Sequence, residues 1–215
     1  SARFRVPVWQ FSLSATDANR SLIRFARQVT KRPRIVVHDF SYHGTVDEAY
    51  ATLDDAGEVV SRRGNIGAPV PLDQTTAVVQ FNDVAALERV LAAGDIAAVL
   101  IEPALTNIGI VLPEPGYHEA VRELCSTYGT ILIIDETHTF SAGPGGMIAE
   151  LDLQPDAVVL GKSIGGGIPA GAYGMTRKFA DAVRESLELE DIDVGGVGGT
   201  LAGNALSLAG LRATL

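Results

Sequence analysis

The sequence predicts an α/β fold, a mainly parallel sheet flanked by helices. Short apolar runs alternate with stretches whose apolar residues recur every three or four positions. Ile131-Leu132-Ile133-Ile134 is apolar without a break, as in a strand buried on both faces. Carboxylates, glycines and a lysine follow such runs, at the strand ends where open α/β sheets bind ligands. With 215 residues, 47 % of them apolar, the chain can bury one sizeable core. No repeat, low-complexity segment or linker divides it, so residues 1–215 are expected to form one domain.

Residues 6–13 are rich in β-formers (Val6, Val8, Trp9, Phe11, Leu13) and read as a strand. Ser14-Ala15-Thr16-Asp17 opens a helix with apolar positions Ala18, Leu22, Phe25, Ala26 and Val29. Its free N–H groups and the two hydroxyls could hold an anion, or serve as a plain cap. Arg34–Asp39 is a second strand, followed by Tyr42-His43-Gly44, where an aromatic ring could stack on a flat ligand or simply pack. Residues 54–75 show glycines, prolines and no period, and are expected to be a long surface loop. A strand over 76–81, a helix carrying Val84, Leu87, Val90 and Leu91, and a strand over 96–101 ending at Glu102-Pro103 come next. An amphipathic helix follows Gly116. The apolar run 131–134 then ends in Asp135-Glu136. Strands at 157–160 and 172–175, a helix from Arg177, a glycine-rich loop over 195–200 and a terminal helix complete the chain.

The net charge of −9 argues against general nucleic-acid binding. The basic cluster Arg24, Arg27, Lys31, Arg32 and Arg34 is expected to be a solvated helix face. No apolar run approaches the roughly 18 residues of a membrane helix. The four histidines and Cys125 lack metal-ligand spacing, so no metal is expected. The lone Cys125 forbids an internal disulfide and suits a reducing, cytoplasmic compartment. It lies on an apolar helix face, as core filler.

Lys162 stands directly after the buried run 157–160 and Gly161, and three glycines, Gly165 to Gly167, follow it. Gly161-Lys162-Ser163 mimics the end of a phosphate loop, but that motif requires glycine where this chain has Asp156. A lysine at a strand's carboxyl end, partly desolvated, can act as an amine nucleophile; a surface lysine is the alternative. The other strand ends supply partners: the helix start at Ser14 to Thr16, Tyr42, Asp135 and the turn Gly199-Thr200. Pyridoxal phosphate makes these demands, with a helix N-terminus for its phosphate, an aromatic for its ring, an acid for its nitrogen and a lysine for its aldehyde.

The chain resembles the large, cofactor-binding domain of the class III aminotransferases, which are fold type I pyridoxal phosphate enzymes. Within them it looks closest to the branch of glutamate-1-semialdehyde aminomutase and the β-amino-acid transaminases. The stretches that carry this are Ser14-Ala15-Thr16-Asp17-Ala18-Asn19, Tyr42-His43-Gly44, Glu102-Pro103, Asp135-Glu136, Gly161-Lys162 with Ile164 to Gly167, and Gly199-Thr200 with Gly203-Asn204. The resemblance implies that Lys162 forms a Schiff base with the cofactor and shuttles the substrate proton. It implies that Asp135 pairs with the pyridine nitrogen, that Ser14, Ala15 and Thr16 hold the phosphate, and that Tyr42 stacks on the ring. Glu102 and Asn107 would line the pocket, and Thr200 would reach the phosphate of a neighbouring subunit in a homodimer. The implied reaction moves an amino group between an amino acid or amine and a keto acid. An aminomutase acting within one molecule and a non-catalytic scaffold are the alternatives.

The departures are specific. Ser14-Ala15-Thr16-Asp17 stands where the family commonly has Ser-Gly-Thr-Glu, and Thr137 where it has a valine beneath the ring. His138 is unusual and is expected to support the site rather than react. The family's N-terminal segment and C-terminal small domain have no counterpart in these 215 residues, which reads as a fragment of a longer chain.

Overall fold

The computed structural model describes residues 2–67, 70–186 and 195–215. Strand β1 (Val8–Ser12) leads into helix α1 (Ala15–Thr30), then β2 (Arg34–His38) and the short strands β3 (Ala51–Leu53) and β4 (Val59–Ser61). Next come β5 (Thr76–Val79), α2 (Val84–Leu91), β6 (Ile96–Ile101), α3 (Tyr117–Tyr128) and β7 (Ile131–Asp135). Then α4 (Gly146–Glu150), β8 (Ala157–Leu160), β9 (Gly171–Met175), α5 (Arg177–Ser186) and α6 (Ala205–Thr214) follow. One sheet runs β1-β9-β8-β7-β6-β2-β5. Only β9 is antiparallel to its neighbours, β8 and β1.

Alternate residues of the central strands enter two separate cores, which is why these strands read as unbroken apolar runs. Val36, Val99, Leu132, Ile134 and Val158 meet Leu87 and Leu91 of α2 and Val121 and Cys125 of α3. Val37, Leu100, Ile133 and Val159 meet Leu22 and Ala26 of α1 and Phe179 and Val183 of α5 on the opposite face. Cys125 is fully buried, and burial pushes its thiol pKa up to about 12, so it is the core filler expected of it. No helix among the described residues is long and apolar enough to cross a membrane.

Two expectations are corrected. Residues 54–75 do not form a structureless loop: β4 pairs with β3 as a hairpin, and Leu72 of a 3-10 turn is buried. Strands of three residues are too short to show a period, and this hairpin is held from outside. Thr52 Oγ1 donates to Asp39 Oδ1, and Arg62 Nη2 donates to the Ser41 carbonyl at 2.7 Å. Nor are the basic residues simply solvated. Arg27 pairs with Glu48 at 2.8 Å, Arg34 with Asp95 at 3.1 Å, and Arg32 Nη1 donates to the Tyr128 carbonyl at 2.9 Å. Arginine has donors enough to tie loops together where the charge pattern suggests only a wet face.

Candidate active site

The connections leaving β2 and β6 go opposite ways, β2 outward to β5 and β6 inward to β7, which opens a crevice at the carboxyl ends of the strands. There a cavity of about 310 Å³ is lined by Ser14 to Thr16, Tyr42, Glu102, Asp135, His138 and Lys162, among others. A larger depression of about 570 Å³ beside α1 is lined by Arg20, Arg24, Arg27 and Glu48. It offers no reactive amine, and Arg27 is spent on Glu48.

Asp135 ends β7 with 4 % of its surface exposed. Burial alone would raise its pKa, but its partners win and hold it below the usual value. His43 Nδ1 lies 3.0 Å from Oδ2, Asn19 Nδ2 donates to the same oxygen at 2.9 Å, and the Thr137 N–H donates to Oδ1 at 3.0 Å. A buried carboxylate with no arginine or lysine beside it is thus kept ionised by hydrogen bonds. Neither His43 nor Asn19 was assigned a role from the sequence. The signal for Asn19 was a polar residue inside the apolar stripe of α1, between Ala18 and Leu22, and it is fully buried. His43 lies in the Tyr42-His43-Gly44 stretch that carries the resemblance, which gives it no role of its own. Glu136 points elsewhere: it is fully buried, and its carboxylate accepts from the Ile148 N–H at 2.6 Å, capping α4.

Lys162 follows β8, the neighbour of β7, in a left-handed conformation (φ 53°) that opens a 3-10 turn. Its side chain lines the cavity but is exposed. The expectation of partial desolvation is therefore corrected, because Gly161 and Gly165 to Gly167 supply no side chains to cover the amine. Ser14 caps α1, its Oγ accepting from the Asp17 N–H at 3.2 Å, and the N–H groups of Ala15 and Thr16 precede any helical acceptor. Thr16 Oγ1 accepts from the Thr45 N–H at 3.1 Å, which leaves its own proton to donate.

Tyr42 and Glu102 join the lining, with the Tyr42 N–H 3.4 Å from Glu102 Oε1. Two predicted residues are not brought in. Asn107 is exposed and donates to the Phe40 carbonyl at 3.1 Å, outside the lining. Thr200 lies exposed in the turn before α6, also outside it.

The donor set fits pyridoxal phosphate. An ionised carboxylate, a primary amine and a helix N-terminus face one cavity of ligand size. The backbone around the helix start is drawn in so tightly that side chains would fill it. A Cβ on Gly44 would lie 2.1 Å from Thr16 Oγ1, and one on Gly161 2.7 Å from Ala15 Cβ. Thr137 Oγ1 lines the floor, buried and without a partner among the described residues.

A parallel α/β sheet with this constellation at its strand ends is a fold type I domain of the aminotransferase kind. Comparison narrows the class. The chain belongs to the class-III aminotransferase family, whose description matches residues 9–215, and pyridoxal phosphate is the cofactor that goes with that family. It is 40 % identical over 199 residues to a glutamate-1-semialdehyde 2,1-aminomutase of Opitutus terrae, covering 91 % of this chain and 45 % of that one. Among solved structures, a glutamate-1-semialdehyde aminomutase from Pseudomonas aeruginosa superposes with a TM-score of 0.95 at 46 % identity, over 99 % of this chain and 48 % of that one. A variant of that enzyme has been solved in complex with PMP. An omega-transaminase from Sphaerobacter thermophilus matches at 32 % identity and TM-score 0.83, over 97 % of this chain and 49 % of its own. The chain spans about half the length of the curated relatives it matches.

Proposed function

We propose that the protein is a pyridoxal phosphate-dependent aminotransferase that moves an amino group from an amino acid or amine to a keto acid. The observation that carries this is Lys162 and Asp135, from adjacent strands β8 and β7, facing one cavity that α1 enters end-on. The cofactor, when bound, supplies an aldehyde carbon and an electron-accepting ring. Lys162 Nζ is the amine that would hold that carbon, and it would be the base that moves the substrate's α-proton. Asp135, held as an anion, would keep a proton on the ring nitrogen. The first N–H groups of α1, with Ser14 and Thr16, would hold the phosphate and so orient the group. Tyr42 would offer a flat neighbour to the ring.

The test is an absorbance spectrum with pyridoxal phosphate, then borohydride reduction and peptide mass mapping. A reduced pyridoxyl adduct on Lys162, absent from Lys162→Ala, is the expected result. No adduct on the folded protein would leave the non-catalytic scaffold as the better account.

The likeness to proteins named glutamate-1-semialdehyde 2,1-aminomutase supports a second reading, transfer of the amino group within one molecule. Product analysis separates the two. An aminotransferase aminates an added keto acid, whereas an aminomutase returns an isomer of its substrate and leaves the keto acid unchanged.

A further inference from the structure

Two side chains at the crevice have no part in the reaction as described, Thr106 and His138. Thr106 Oγ1 is in hydrogen-bond contact with both Glu102 Oε2 and His138 Nδ1. Glu102 is 3 % exposed, and its other oxygen faces the Tyr42 N–H at 3.4 Å. A threonine hydroxyl has one proton to give, and an ionised carboxylate has none. The hydroxyl therefore donates to Glu102, and its oxygen accepts from a proton on His138 Nδ1. That order fixes the ring: neutral His138 carries its proton on Nδ1 and leaves Nε2 as a lone pair. The ring lines the cavity with 34 % of its side chain exposed, and no described residue hydrogen-bonds Nε2.

We infer that His138 is the crevice's second proton-handling group, its Nε2 presented by the Glu102–Thr106–His138 chain to the ammonium group of an incoming primary amine substrate. The inference rests on the aminotransferase reading, which requires the amine to react as a free base. In the step, one N–H bond of the ammonium breaks and an Nε2–H bond forms. The electron pair stays on the substrate nitrogen, and the positive charge passes to the imidazole. That charge is met by Glu102, whose Oε2 lies 3.9 Å from Nδ1. The other titratable groups sharing the crevice are Tyr42, Asp135 and Lys162. Asp135 is already committed to His43 and Asn19, and Lys162 to the cofactor, so neither is available to the incoming ammonium.

The experiment has two readouts. Nitrogen-15 spectra of histidine-labelled protein, with His138 assigned by its absence from His138→Gln, report which ring nitrogen carries the proton. The expected result is protonated Nδ1 and bare Nε2, with Thr106→Val releasing the proton to Nε2. A wild-type ring protonated on Nε2, or a ring indifferent to Thr106→Val, would overturn the chain. The second readout is kcat/KM for a primary amine as a function of pH. Glutamine can donate and accept hydrogen bonds but takes up no proton, so His138→Gln should lose about 10²-fold. That deficit should close as the pH rises towards the amine's own pKa, where the free base is supplied by the solution. A deficit equal at all pH values would mark a merely structural side chain and overturn the inference. Absence of turnover in the wild type would overturn the aminotransferase reading and the amine's role with it, while the spectra still decide the hydrogen-bond chain.

Discussion

Asp135 is a carboxylate whose charge survives burial because three donors surround it, and its partners say when that charge is lost. Burial works to raise its pKa, while the hydrogen bond and charge of His43, then Thr137 and Asn19, outweigh it and leave the value lowered. A carboxyl with a folded pKa below its unfolded value, about 3.9, stabilises fully above that value. The contribution disappears as the pH falls through the lower, folded value. Asp135→Asn should therefore cost on the order of 2 kcal/mol at pH 7, since His43 loses a charged partner. The cost should shrink below about pH 4, where the unfolded wild type begins to take up the proton. Urea midpoints followed by circular dichroism at pH 7 and pH 3 check this, and an equal gap at both would refute it. At this scale the sequence showed the reacting groups better than their supports. Lys162 and Asp135 stand where strand ends make them conspicuous. His43 and Asn19 reach Asp135 across 92 and 116 positions of chain, and no local pattern reports such a contact.

Helix α1 is the element that turns a sheet into an anion site, and its start is legible because caps and periods are local. The tightness of that start is not legible. Gly44 has φ +81°, and a Cβ there would lie 2.1 Å from Thr16 Oγ1 and 2.9 Å from Thr16 Cα. Gly57, in the hairpin turn, has φ +82° and open space around it. The two glycines separate backbone strain from close approach. Gly57→Ala should cost about 1 kcal/mol, while Gly44→Ala should cost roughly 3 kcal/mol and weaken cofactor affinity as well. Thermal denaturation and cofactor titration of both variants test this, and equal losses would mean that the contact with α1 is unimportant. The hairpin of β3 and β4 escaped notice for the opposite reason. Its strands are too short to carry a period, and Asp39 and Ser41, from outside the hairpin, help to hold it.

The whole molecule leaves Thr200 outside its own cavity, exposed beside the exposed Leu201 and Leu206. We propose that these residues serve a second copy of the chain, with Thr200 completing the partner's phosphate site. Thr200→Ala should then weaken cofactor affinity several-fold without altering the sedimentation coefficient. Unchanged affinity in a confirmed dimer would reject a shared site. The alternation of elements made the sheet legible, since each central strand announces its burial on both faces. Strand order was not legible, because pairing between distant segments leaves no trace in composition. That order has a consequence for how the protein is made. Among the described residues β1 has a single hydrogen-bonding neighbour, β9, and Val8 is matched to Met175. Within this chain β1 is synthesised long before β9, so it has no strand to pair with until β9 emerges. In the interval between the two, β1 is a strand without a partner, and this edge of the sheet forms only when a much later segment arrives.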